Sequence, residues 1–108
     1  ERVVYVIGFE NKKDATALEL VKNLFASKTR DFVTEIDDSS IILIKDTRDM
    51  KEDHDLKTLA DMIVDNLHAE AMVRVRVGYG NRVNNLPDIA KSYQEAKMAL
   101  EVGKILCG

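Results

Sequence analysis

Two stretches of this chain are apolar at consecutive positions: Val3-Val4-Tyr5-Val6-Ile7, within Arg2–Phe9, and Ile41-Ile42-Leu43-Ile44. Successive side chains of a strand point to opposite faces, so a strand with an unbroken apolar run must be covered on both. Each large side chain contributes about 1.5–3 kcal/mol when fully buried, and a face left in water forfeits its share. Both runs therefore read as central strands, and any fold assigned to the chain has to place them in the middle of a sheet.

The second run is one arm of a hairpin. Phe32–Ile36 and Ile41–Lys45 flank the polar patch Asp37, Asp38, Ser39 and Ser40, whose side chains can bond their own backbone in a short turn. The first arm mixes apolar residues with Thr34 and Glu35 and reads as an edge strand. Another edge strand is expected over Met72–Tyr79, where Val73, Val75 and Val77 alternate with Arg74 and Arg76, one face buried and the other wet. Leu18, Val21, Leu24 and Phe25 predict an amphipathic helix from a cap at Asp14 to Ser27, and Leu56, Leu59, Ala60, Ile63, Val64 and Leu67 predict a second. The charged segment Asp46–Asp55, apolar only at Met50, is expected to be a solvated connection. A last helix starts after Asn84 or Asn85, with Pro87 in its first turn, and lines one face with Leu86, Ile89, Ala90, Tyr93, Ala96 and Leu100.

The order β-α-β-β-α-β-α predicts an α+β fold: a ferredoxin-like βαββαβ core with an antiparallel sheet of order 4-1-3-2, plus a C-terminal helix. That order places the first and third strands, the two doubly apolar ones, in the middle. Two helices cover one face of such a sheet. The second face needs the last helix or a partner surface, and the pattern leaves both open.

Composition narrows the function by exclusion. A chain of 108 residues, 45% hydrophobic and 32% charged, suits one soluble globular domain. No apolar run approaches the roughly 20 residues of a membrane span, so no membrane partner is expected. A net charge of −3 supplies no global field for nucleic acid. Cys107 is the single cysteine, which excludes an internal disulfide, fits a reducing cytoplasm, and reads as a small apolar residue near a helix end. The chain begins at Glu1 rather than Met and is read as a fragment of a longer protein. His54 and His68 lack cysteine partners and read as solvated or helix-terminal side chains, so neither a metal nor another cofactor is expected. Gly78 and Gly80 give a turn, not a phosphate cradle. Asp37 and Asp38, with Glu10 at the end of the first strand, are the acids a hairpin tip could offer to Mg²⁺, although adjacent acids also form turns.

The last third of the chain adds a more specific signal. Val75-Arg76-Val77-Gly78-Tyr79-Gly80 leads into a helix in which Ser92, Tyr93, Glu95, Ala96, Ala99, Leu100 and Gly103 fill a Ser-Tyr-x-Glu-Ala-x-x-Ala-Leu-x-x-Gly pattern. This resembles the GGDEF-like middle domain of the sugar-diacid and purine-catabolism regulator family of bacterial transcription factors. The resemblance implies that residues 1–108 form a single GGDEF-like regulatory domain, a degenerate relative of diguanylate cyclase domains. In an active cyclase the hairpin carries Gly-Gly-Asp/Glu-Glu-Phe, whose glycines admit substrate phosphates and one of whose acids holds the metal. Laid over this hairpin, the motif falls on Asp37, Asp38, Ser39, Ser40 and Ile41. Aspartates replace both glycines, adding Cβ atoms and negative charge where a triphosphate would lie, and serines replace both acids. Where cyclases place a metal-binding Asp near the end of the first strand, this chain has Gly8 and Phe9, with Glu10 just beyond.

The expectation that follows is a domain with no enzymatic activity and no catalytic residues. It relays a signal between flanking sensing and helix-turn-helix regions of the same regulator, or forms a homodimer, and does not itself contact DNA. The alternative is a binding module in which Asp37, Asp38, Ser39 and Ser40 contact a small-molecule effector, a metabolite or nucleotide, beside the hairpin.

Overall fold

The computed structural model describes residues 1–10, 15–25, 31–48, 50 and 52–107, with side chains described for all of these except 36 and 103–107. Strands β1 (Arg2–Phe9), β2 (Phe32–Asp37), β3 (Ser40–Asp46) and β4 (Val75–Tyr79) alternate with helices α1 (Ala15–Phe25), α2 (Asp53–Ala71) and α3 (Leu86–Cys107) in the order β1-α1-β2-β3-α2-β4-α3. The strands form one antiparallel sheet of order β2-β3-β1-β4. This is the expected α+β topology, read from the opposite edge.

Register and parity explain the two apolar runs. Tyr5 sits opposite Leu43 and Ile7 opposite Ile41, and these residues, with Val3 and Val75, face α1 and α2. Ala17, Val21 and Phe25 of α1 and Leu56, Leu59, Ala60, Ile63 and Leu67 of α2 complete the main core. Val4, Val6 and Ile42 point the other way, into a second cluster with Ala96, backed by Ile44, Ile89, Tyr93 and Leu100. The second face is thus covered by α3. That helix lies against β4 and β1, and Phe32, on the far strand β2, keeps 60% of its surface exposed.

Several boundaries differ from the sequence expectation, each for a local reason. β4 starts at Val75 and not Met72, because α2 runs to Ala71 and Met72 caps it in the left-handed region, with φ 56° and its N–H donated to the Leu67 carbonyl. The connection after β3 is shorter and less wet than expected. α2 already begins at Asp53, and Thr47 is buried, its Oγ1 donating to Glu1 Oε1 at 3.1 Å. On α3, Leu86 is 83% exposed and Ala90 is also exposed, while Ser92 takes a fully buried place in the packed face. The expected cap at Asp14 and helix end at Ser27 lie outside the described residues, as does the side chain of Cys107. Among the described residues, no helix is long and apolar enough to cross a membrane.

Candidate functional site

The hairpin closes on itself at the residues the sequence singled out. Asp37 ends β2, Ser40 opens β3, and Asp38 and Ser39 make the turn between them. Asp37 Oδ1 accepts hydrogen bonds from the Ser39 backbone N–H (2.9 Å), the Ser39 hydroxyl (3.2 Å) and the Ser40 hydroxyl (2.9 Å). Aspartate is suited to this because its short carboxylate reaches the backbone two residues on. The turn is pinned to the end of β1 by the Phe9 N–H, which donates to the Ser39 carbonyl at 2.8 Å. Asp38 is exposed.

This tether brings Asp37, Ser39 and Ser40 to Gly8 and Phe9, at the mouth of a cleft of about 240 Å³ whose other wall is α3. Leu100 lies over Gly8: a Cβ added at position 8 would stand 2.9 Å from Leu100 Cδ2. Phe9 packs against the main core, and Glu10 is exposed beyond the strand. Arg76 sits opposite Gly8 in the β1–β4 register, which puts it on the α3 side of the sheet. It is half-buried there, so the expected wet face of β4 is in fact the face that α3 covers.

The donor set does not fit a pair of divalent cations. Among the described residues, no three His, Cys, Asp or Glu side chains come together in an arrangement that could hold a metal. Asp37 directs one carboxylate oxygen into its own turn, and the aliphatic Leu100 occupies the space above Gly8. The histidines lie elsewhere. His54, exposed, pairs with Glu52 (2.9 Å) and Asp55 (3.3 Å) at the start of α2, and His68 is exposed in the last turn of that helix.

The Ser-Tyr-x-Glu-Ala pattern encodes the docking of α3. Ser92 Oγ accepts from the Val4 N–H at 3.1 Å and donates to the Asn81 carbonyl at 2.9 Å, so one buried hydroxyl joins α3, β1 and the β4–α3 loop. Glu95 receives the Asn81 N–H at 3.0 Å and its side-chain amide at 2.9 Å. Gly78 and Gly80 let the helix backbone approach the strand. A Cβ at Gly78 would overlap the Ala96 carbonyl oxygen and stand 2.8 Å from the Leu100 nitrogen, and one at Gly80 would overlap the Ser92 carbonyl. The sequence marked Ser92 as part of that pattern, but not that its hydroxyl would bridge α3, β1 and the loop.

A four-stranded βαββαβ sheet, with a tight turn between its second and third strands and a helix seated on its second face, defines a GGDEF-like core. The GGDEF-like domain family matches residues 1–102, and the chain belongs to that family. No curated protein and no solved structure matches it.

Proposed function

We propose that this domain is a non-catalytic regulatory module of a bacterial transcription regulator of the sugar-diacid and purine-catabolism type, acting through contacts with its flanking regions or with a second copy of itself. The observation that carries the reading is the hairpin tip: Asp37 Oδ1 is occupied by three donors of its own turn, with Leu100 over the neighbouring Gly8. Two-metal phosphoryl transfer needs carboxylate oxygens converging on the cations, and this tip does not offer them.

A surface for the proposed contacts lies at the opposite end of the second face. α3 leaves the β2 side of that face open, and Phe32, Ile44, Leu86 and Ile89 line an apolar groove of about 290 Å³. Phe32 and Leu86 are 60% and 83% exposed, and apolar side chains grouped in this way favour an interaction surface. The groove adjoins the start of α3, so whatever docks there also touches the helix that covers β1 and β4. Displacement of α3 is then the physical form of the relayed signal. The acidic balance of the chain supports DNA being gripped by another region.

The test is the solution mass by light scattering over a concentration series, for the wild type and for Phe32→Ser with Leu86→Ser. The expected result is a concentration-dependent dimer that the double variant loses. A strict monomer would refute self-association. A dimer untouched by the double variant would refute the groove.

A further inference from the structure

We propose that the cleft between the hairpin turn and α3 binds a small organic oxyanion, a carboxylate or phosphate group carried on a hydroxylated skeleton, gripped by Arg76 and Lys97. This goes beyond the regulatory reading and does not depend on what occupies the apolar groove.

The argument starts from charge. Arg76 of β4 and Lys97 of α3 line the same cleft, and among the described residues neither takes part in an ion pair or a hydrogen bond. Lys97 is exposed and solvated, but Arg76 is half-buried. Its guanidinium is unpartnered yet still reached by solvent, and its planar fork of donors matches an oxyanion better than a single water. The chain places these two cations on the two walls of the cleft, Arg76 on a strand and Lys97 on a helix.

The remaining lining restricts the ligand. Ser39 and Ser40 line the cleft and donate to Asp37, so their hydroxyl oxygens keep acceptor capacity that suits ligand hydroxyls. Tyr93, half-buried on the same wall, adds a phenol. Asp37 and Glu101 also face the cleft, and two carboxylates beside two cations repel a polyphosphate while tolerating a mono- or dianion. At about 240 Å³ the space falls below the roughly 300–1,000 Å³ of sites for drug-sized ligands, so a small metabolite fits and a nucleoside triphosphate does not. Gly8 matters as well, since a longer side chain there would enter the space between Leu100 and the turn.

The experiment is a ¹⁵N-resolved NMR titration of the full chain with two probes, inorganic phosphate and L-tartrate, at ionic strength held constant with sodium chloride. Saturable shifts are expected at the amides of Gly8, Ser39, Ser40 and Arg76. Saturation by tartrate alone assigns a carboxylate ligand, and saturation by phosphate alone a phosphate ester. Arg76→Gln is expected to weaken binding at least tenfold, which corresponds to about 1.4 kcal/mol. Lys97→Gln, an exposed change on a helix surface that leaves folding intact, should weaken it several-fold, while Lys22→Gln on α1 should leave it unchanged. The proposal is overturned if neither probe gives localised, saturable shifts up to about 10 mM, ten times a 1 mM Kd. It is equally overturned if Lys97→Gln and Arg76→Gln bind as the wild type does.

Discussion

Replacing Gly80 with alanine tests whether α3 really sits against the sheet with its backbone in contact. Gly80 has no positive φ, so alanine is conformationally acceptable there. On an open strand end the change would stabilise the protein by about 0.4–1 kcal/mol through the unfolded chain. The structure demands the opposite sign. The new Cβ would overlap the Ser92 carbonyl oxygen and lie 2.9 Å from its carbonyl carbon, atoms of a helix backbone that cannot rotate away, and 2.7 Å from the Ser92 side-chain Oγ. Overpacking of this kind costs about 1–3 kcal/mol. Shifting α3 to relieve it lengthens the Val4–Ser92 bond, and a buried N–H left without a partner adds about 1–3 kcal/mol. The sum, about 2–6 kcal/mol, is a large part of the 5–15 kcal/mol typical of a domain. With each 1 kcal/mol worth about 4–8 °C at this size, Tm should fall by at least about 8 °C. Gly8→Ala supplies the contrast, because its Cβ meets only the flexible end of Leu100, and its cost should stay near 1 kcal/mol, the low end of overpacking. Thermal and urea unfolding followed by circular dichroism measures both. A Gly80→Ala protein as stable as the wild type, or more stable, would refute the close docking of α3.

Ser92→Ala removes the acceptor of the buried Val4 N–H and the donor to Asn81 without adding bulk, so a loss of about 1–3 kcal/mol in urea unfolding is expected. No change would mean that the hydroxyl is not what joins α3 to β1. Tyr5 gives a pH signature. Its hydroxyl donates to the Leu56 carbonyl at 2.8 Å, and burial, reinforced by Tyr79 and opposed by Arg82, pushes its pKa well above the ordinary range. The folded state then keeps a proton that the unfolded chain releases, so this contribution is complete below about pH 10 and is lost as pH rises beyond it. Between about pH 9 and pH 11 the wild type should lose more stability than Tyr5→Phe, and parallel losses in the two proteins would contradict the assignment.

How much of this was legible in the sequence depends on what kind of information each element carries. Val3–Ile7 and Ile41–Leu43 announce central strands because parity converts an unbroken apolar run into a requirement for two covered faces. The α2 stripe Leu56, Leu59, Ala60, Ile63 and Leu67 is buried as its spacing predicts. The covering of the second face was legible only as a choice between the last helix and a partner surface. It rests on Gly78, Gly80 and Ser92, and a glycine does not declare whether it makes a turn or admits another backbone until the path of α3 is known. Arg76 was misjudged for the same reason: alternation reports which residues share a face, and α3 made the polar face of β4 a covered one. At the hairpin, Asp37, Ser39 and Ser40 were recognisable as turn residues. That they share a cleft with Lys97 depends on the Phe9–Ser39 tether and on the pairing of β1 with β4, neither of which a local pattern contains.

The central claim is that this GGDEF-like domain has exchanged the chemistry of the hairpin for regulation. The most direct measurement is incubation of the purified chain with GTP and Mg²⁺, followed by chromatographic detection of cyclic dinucleotide. The account predicts no product above the protein-free blank at any protein concentration. Protein-dependent formation of cyclic dinucleotide, abolished by changing Asp37 and Asp38 to alanine, would contradict it.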